Sequence, residues 1–198
     1  MKPRLNAIAT LLLAPCLAFA TVAAKPRGTL RVEGDSTLHK WSETTSAVEA
    51  DFELADEKTS LASAVAAGAV KSMEVRVPVA ALSSGEKGLD KNMRKAMKAE
   101  EFPTVVYRMT EYKLAKAADG TLTAATTGQL TIAGKTKSVP MTMTLAPGDG
   151  STAVRGSYDL LMSDYGIAPP KLMMGAIKVR DPVTVRFDLV LGTPHKEN

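Results

Sequence analysis

The sequence predicts an all-β fold, a meandering antiparallel barrel or sandwich of about eight strands. Three observations carry that expectation. Apolar side chains alternate with polar ones at period two almost to the C-terminus. The alternating runs recur at short intervals with turn residues between them. The run Gln129–Leu145, QLTIAGKTKSVPMTMTL, folds on itself around Gly134-Lys135 as a hairpin. A two-residue turn with glycine first is of type II′, whose twist suits antiparallel strands.

The strands follow in order. Gly28–Gly34 puts Leu30 and Val32 on one face. Ser46–Leu54 alternates through Val48, Ala50, Phe52 and Leu54. Lys71–Val79 sets Met73, Val75, Val77 and Val79 against Ser72, Glu74, Arg76 and Pro78. Val105, Tyr107 and Met109 lead the next run. The type II′ register of the hairpin places Leu130 opposite Val139 and Gly128 opposite Met141. It likewise sets Thr126 against Met143 and Ala124 against Leu145. Val154, Gly156, Tyr158, Leu160 and Met162 share a face, and Val183, Val185, Phe187, Leu189 and Leu191 form the last and most regular strand. Two segments break the pattern. Ser60–Ala69, rich in Ala and Ser, reads as a loop or a weak helix. Leu89–Glu101 spaces Leu89, Met93 and Met97 helically, with Asp90 as N-cap and Pro103 as the stop; its apolar side suits one end of a barrel.

The N-terminus reads as an address. Lys2 and Arg4 precede the apolar run Ala7–Ala20, and Val22-Ala23-Ala24 supplies small residues for cleavage after Ala24. The expected organisation is a signal peptide over 1–24, one domain over 25–192 and a disordered polar tail over 193–198. The expected location is the periplasm or the exterior. Leu13-Ala14-Pro15-Cys16 only loosely resembles a lipoprotein box, because Pro15 is unfavourable there. Cleavage would remove Cys16, the only cysteine, and with it disulfide and thiolate chemistry. Lys and Arg number 25 against 21 Asp and Glu, and no basic block interleaves with aromatics, which argues against nucleic acid.

Catalytic and metal-binding equipment is absent from the sequence patterns. The two histidines are His39, beside Trp41, and His195, in the tail. No HxH, HExxH, GxSxG or P-loop pattern occurs. No cofactor, no metal and no enzymatic activity are expected. His39 fits a structural bond to backbone, and Asp164, before Tyr165-Gly166, fits a turn better than a general acid paired with Asp159. Lys91, Arg94, Lys95 and Lys98 give the helix a basic face, either simply solvated or suited to an anionic surface.

Methionine is in excess, with ten in the chain, and several fall on inward faces opposite small residues. Methionine adapts to irregular apolar shapes, so a cavity for an oily ligand is the sharper reading and a filled core the plainer one. The residues expected to line that cavity are Phe52, Met73, Val75, Val77, Tyr107, Met109, Leu130, Met141, Met143, Leu145, Tyr158, Leu160, Met162, Phe187 and Leu189. The expected partner is a long-chain isoprenoid or fatty-acyl lipid. Transient contact with a membrane surface and a homodimer stay open.

Four segments also resemble a known family. They are Ser36-Thr37-Leu38-His39-Lys40-Trp41; the unit MEVRVPVAALSSGEKGLDKNMRKAMKAEEFPTVVYRM; GQLTIAGKTKSVPMTMTL; and SDYGIAPPKLMMGAIKVRDPVTVRFDLVL. In this order they resemble the YceI-like proteins, secreted lipocalin-like barrels associated with polyisoprenoid and other long-chain lipids. The resemblance spans about Gly28–Leu191. It implies an eight-stranded antiparallel lipocalin-like barrel with one short helix, about 89–101, near the barrel end. It also implies a lipid-like ligand, without specifying polyisoprenoid, isoprenoid quinone or fatty acid. The alternative is a structural or stress-related interaction module with a filled barrel.

Overall fold

Ten of the strands lie along one curled antiparallel path, and side-chain parity decides what that sheet encloses. The computed structural model describes residues 20–56 and 58–192. In chain order the elements are β1 (Ala20–Ala24), β2 (Arg27–Ser36), β3 (Trp41–Thr45), β4 (Glu49–Leu54), α1 (Leu61–Ala67), β5 (Val70–Pro78) and α2 (Lys87–Ala96). Then come β6 (Thr104–Lys116), β7 (Leu122–Ile132), β8 (Lys135–Gly148), β9 (Ser151–Leu161), β10 (Lys171–Leu172) and β11 (Ile177–Gly192). The path runs β1-β4-β5-β6-β7-β8-β9-β11-β2-β3, and β10 adds to β11. The architecture is a lipocalin-like barrel whose strand count exceeds the expected eight. The extra strands are short: β1, β3 and β10 hold five, five and two residues.

The edges β1 and β3 do not pair with each other. Beside β3 the seam is closed by the loop after β5: Thr44 N donates to Ser83 O at 2.9 Å and Ser83 N to Thr44 O at 3.1 Å. β1 pairs with β4 from Ala20↔Leu54 to Ala24↔Ala50, so the expected cleavage after Ala24 would strip that edge. The rest of the expected leader, residues 1–19, and the tail with His195 lie outside the described residues.

The hairpin corrects the expected register. Gly128 faces Val139, Thr126 faces Met141, Ala124 faces Met143 and Leu122 faces Leu145. The turn is Ala133-Gly134, with positive φ at both residues (47° and 77°), as in a type I′ turn. A Cβ on Gly134 would lie 2.5 Å from the Phe102 ring, so glycine there also makes room for that packing. The shift is two residues, so every side chain keeps its expected face.

The helix near the barrel end also starts elsewhere. α2 begins at Lys87, and Asp90 is not its N-cap but a buried residue inside its first turns. The Asp90 carboxylate accepts from Ser83 Oγ (2.8 Å), Ser84 N (2.8 Å) and Ser84 Oγ (2.6 Å), pinning the helix to the loop that closes the seam. Those hydrogen bonds, Ser84's first, hold its carboxyl below the usual carboxylate range. Ser60–Ala69 is helical over α1, capped by Ser60 at the N-terminus and by Gly68 in the left-handed region at the C-terminus. Tyr112 Oη donates to Val65 O (2.8 Å) and Thr152 Oγ1 to Ala62 O (3.2 Å), locking α1 over one end of the barrel.

Two apolar clusters follow. Leu54, Leu122, Leu145 and Leu191 pack against Ala64 and Val65 of α1. Tyr107, Leu130, Ile132, Met162, Tyr165 and Ile167 gather toward the other end, with Met97 and Ala96 of α2 against them.

Candidate functional site

The inward faces enclose a cavity of about 720 Å³, within the range of small-molecule sites. Thirteen of the expected residues line it: Phe52, Met73, Val75, Val77, Tyr107, Leu130, Met141, Met143, Tyr158, Leu160, Met162, Phe187 and Leu189. Met109 and Leu145 share the inward parity but do not line it. Leu145 is 1% exposed beneath α1, and Met109 is packed into the second cluster, next to an irregularity of the β6–β7 register. Parity gives the face, while the packing at each level decides whether that face meets space or another side chain.

Glycines keep the lumen open. On ideal geometry a Cβ at Gly34 would lie 2.2 Å from the Trp41 ring, at Gly128 2.4 Å from Tyr107, and at Gly156 2.4 Å from Phe187. All three aromatics line the cavity. Each ring lies down over a cross-strand glycine, flat against the wall, instead of projecting across the lumen. Tyr107 Oη reaches Thr126 Oγ1 at 2.9 Å, and burial pushes its phenol above the usual range. Trp41 Nε1 donates to Asp35 O at 3.2 Å.

α2 forms the wall at the other end. Leu89, Asn92, Met93, Ala96 and Met97 face the cavity. Lys87, Lys91 and Lys95 are exposed and recur at the spacing of one helical stripe, and exposed Lys98 follows the helix end. None of these four lysines pairs with a carboxylate among the described residues, whereas Arg76, Arg108, Arg155 and Arg186 on the sheet all do.

The residues that sequence reasoning missed sit on β2, β3 and α2. Leu30, Val32, Trp41 and Glu43 all line the cavity. Leu30 and Val32 were legible as one face, but β3 is too short and too polar to announce itself. Glu43 is 3% exposed, and its Oε2 has no hydrogen-bond partner. Burial, reinforced by the Asp90 carboxylate and opposed by Arg94, pushes its carboxyl up to about 7.

The polar residues singled out earlier have local roles. Ser36 Oγ accepts from Leu38 N and His39 N and donates to His39 O (2.7 Å), building the β2–β3 turn. His39 Nδ1 lies 2.9 Å from Lys40 O at the cavity rim. Asp164 sits in the 3₁₀ turn Met162–Tyr165 and pairs with Lys137 Nζ at 2.6 Å. Among the described residues no cluster of His, Cys, Asp and Glu could hold a metal ion, and no helix is long and apolar enough to cross a membrane.

Solved structures with this architecture are similar over most of their length. A polyisoprenoid-binding domain from Saccharophagus degradans, described as implicated in plant cell wall breakdown, is 11% identical. It covers 90% of this chain and 99% of its own, with a TM-score of 0.61. Burkholderia cenocepacia BcnA is 18% identical over 82% of this chain and 96% of its own, at a TM-score of 0.60. A Campylobacter jejuni YceI protein is 18% identical over 64% of this chain and 74% of its own, at 0.50. At these identities the likeness establishes the fold. A comparison with curated proteins finds no match. The YceI-like domain, in contrast, matches residues 26–191, nearly the whole described barrel, and the chain belongs to the YceI-like family.

Proposed function

We propose that the protein is an exported carrier that holds one long-chain apolar lipid, of polyisoprenoid, isoprenoid quinone or fatty-acyl type, inside its barrel and performs no catalysis on it. The observation that carries this reading is the cavity itself, about 720 Å³ with apolar walls and a few polar groups at one end. Burial stabilises such a chain by about 0.8 kcal/mol per methylene, before the cost of ordering it is subtracted. The polyisoprenoid-binding domain with the same fold supports the ligand class. A basic start followed by the apolar run Ala7–Ala20 supports export to the periplasm. The filled-core interaction module is disfavoured because glycines hold three aromatic rings against the wall and leave space between them.

Filling that space tests the proposal. Val75 lines the cavity midway along β5, and Val75→Trp should lower the uptake of geranylgeraniol by about tenfold or more while the β-sheet circular dichroism persists. Unchanged uptake by the folded variant would place the lipid elsewhere.

The lysine stripe supports delivery at a membrane. Like charges at helical spacing destabilise a helix by about 0.2–0.5 kcal/mol per pair, so a row with no acidic partner favours an external anionic surface. Each lysine near an anionic bilayer contributes about 1 kcal/mol at low salt. The combined variant Lys87→Gln, Lys91→Gln, Lys95→Gln should therefore bind vesicles containing phosphatidylglycerol about tenfold or more weakly. Binding to pure phosphatidylcholine should not change. Equal vesicle binding by variant and parent would assign the stripe to solvation alone.

A further inference from the structure

Polar groups buried in this barrel are satisfied, with one exception. Thr126 bonds Tyr107 and Met141 O, Thr152 bonds Ala62 O, Thr45 accepts from Ala47 N, and Ser36 builds its turn. Asp90, within α2, accepts three hydrogen bonds. Glu43 is equally buried, yet its Oε2 is the only buried side-chain oxygen or nitrogen among the described residues without a partner. It stands opposite Val32 on β3, at an inward position of a cavity whose walls are otherwise mostly hydrocarbon. An unpartnered buried polar group costs about 1–3 kcal/mol. Valine or leucine would fit that wall without this cost.

We propose that Glu43 is the polar anchor of the cavity, hydrogen-bonding the uncharged hydroxyl or carbonyl head of the bound lipid and discriminating against the phosphorylated form of the same chain. The inference rests on the carrier reading above and adds the chemistry of the head. A protonated carboxyl donates to a carbonyl oxygen or exchanges a hydrogen bond with a hydroxyl. A carboxyl pushed up to about 7 is substantially protonated near neutral pH. A phosphate would enter beside Glu43, Asp90 and Glu86, with Arg94 the one cation whose field reaches Glu43. Ser42, Ser84 and Asn92 line the same end, so the head belongs under α2 and the chain runs toward α1.

Three probes of similar chain length separate this claim from the carrier reading: geranylgeraniol, geranylgeranyl phosphate and phytane, which has no polar head. The unmodified protein should bind the alcohol about tenfold or more tightly than the phosphate. Glu43→Gln, which keeps a donor and an acceptor without the charge, should hold the alcohol within about threefold and narrow the gap to the phosphate. Glu43→Leu should lose about tenfold for the alcohol and nothing for phytane. If Glu43→Leu does not fold, the alcohol-to-phosphate ratio in Glu43→Gln decides. Uptake of all three probes with the same ratios in parent and variants overturns the anchor and leaves the carrier. Uptake of none overturns both.

Discussion

Gly128→Ala should destabilise the fold by about 1–3 kcal/mol, a large effect for one methyl group. The added Cβ would lie 2.4 Å from the Tyr107 ring and 2.6 Å from the carbonyl oxygen of Arg108. The ring could swing into the lumen, breaking its contact with Thr126, but the backbone oxygen belongs to the β6–β7 ladder and cannot move alone. Gly156→Ala is the control. There the shortest approach, 2.4 Å, is to the tip of Phe187, and the nearest backbone oxygen, Thr142 O, is at 3.1 Å. That variant should keep more of its stability and lose cavity volume instead. Urea unfolding of the two variants measures the difference. A Gly128→Ala protein within about 0.5 kcal/mol of its parent would mean that the β6–β7 ladder yields to the methyl group, against this reading.

The second large effect is a stability that falls as pH rises toward neutrality. The Glu43 carboxyl is pushed from 4.5 up to about 7 in the folded chain. Between those values the folded protein holds a proton that the unfolded chain has released. This stabilisation is therefore complete below pH 4.5 and lost as pH rises through about 7. Linkage gives a loss on the order of 3 kcal/mol. The charged groups that set it are Asp90, which raises the value, and Arg94, which lowers it. Glu74 acts in the opposite direction: hydrogen bonds from Arg76, then Arg108, lower its carboxyl, so its contribution is lost on acidification. Stability should peak on the acid side of neutrality. Glu43→Gln should flatten the decline between about pH 4.5 and 7 in denaturant titrations. A decline that persists in that variant would assign the pH dependence to other groups.

Parity was the legible part of this chain. Met73-Val75-Val77 on β5 and Tyr158-Leu160 on β9 read inward from alternation alone, and they line the cavity. Register was less legible, because the turn at Ala133-Gly134 requires positive φ at an alanine, which local preferences disfavour. The Thr131–Thr136 hydroxyl contact (2.8 Å) and the Phe102 ring over Gly134 are tertiary details that favour it. Asp90 misled the helix boundary for a related reason. It bonds backward to Ser83 and Ser84 from inside the helix, whereas an N-cap side chain bonds forward into the first turn. β3 escaped notice because Trp-Ser-Glu-Thr-Thr turns a carboxylate inward, where a pattern reader expects an apolar residue. That exception to the hydrophobic rule is also the most informative group in the cavity.

A barrel with this cavity should carry a lipid. Native mass spectrometry of the protein, gently purified from its own host, tests it most directly. The expected spectrum shows the protein mass plus one long-chain lipid, and a delipidated sample reloads with geranylgeraniol at one molecule per chain. A bare protein mass from the host, together with failure to reload, would contradict it.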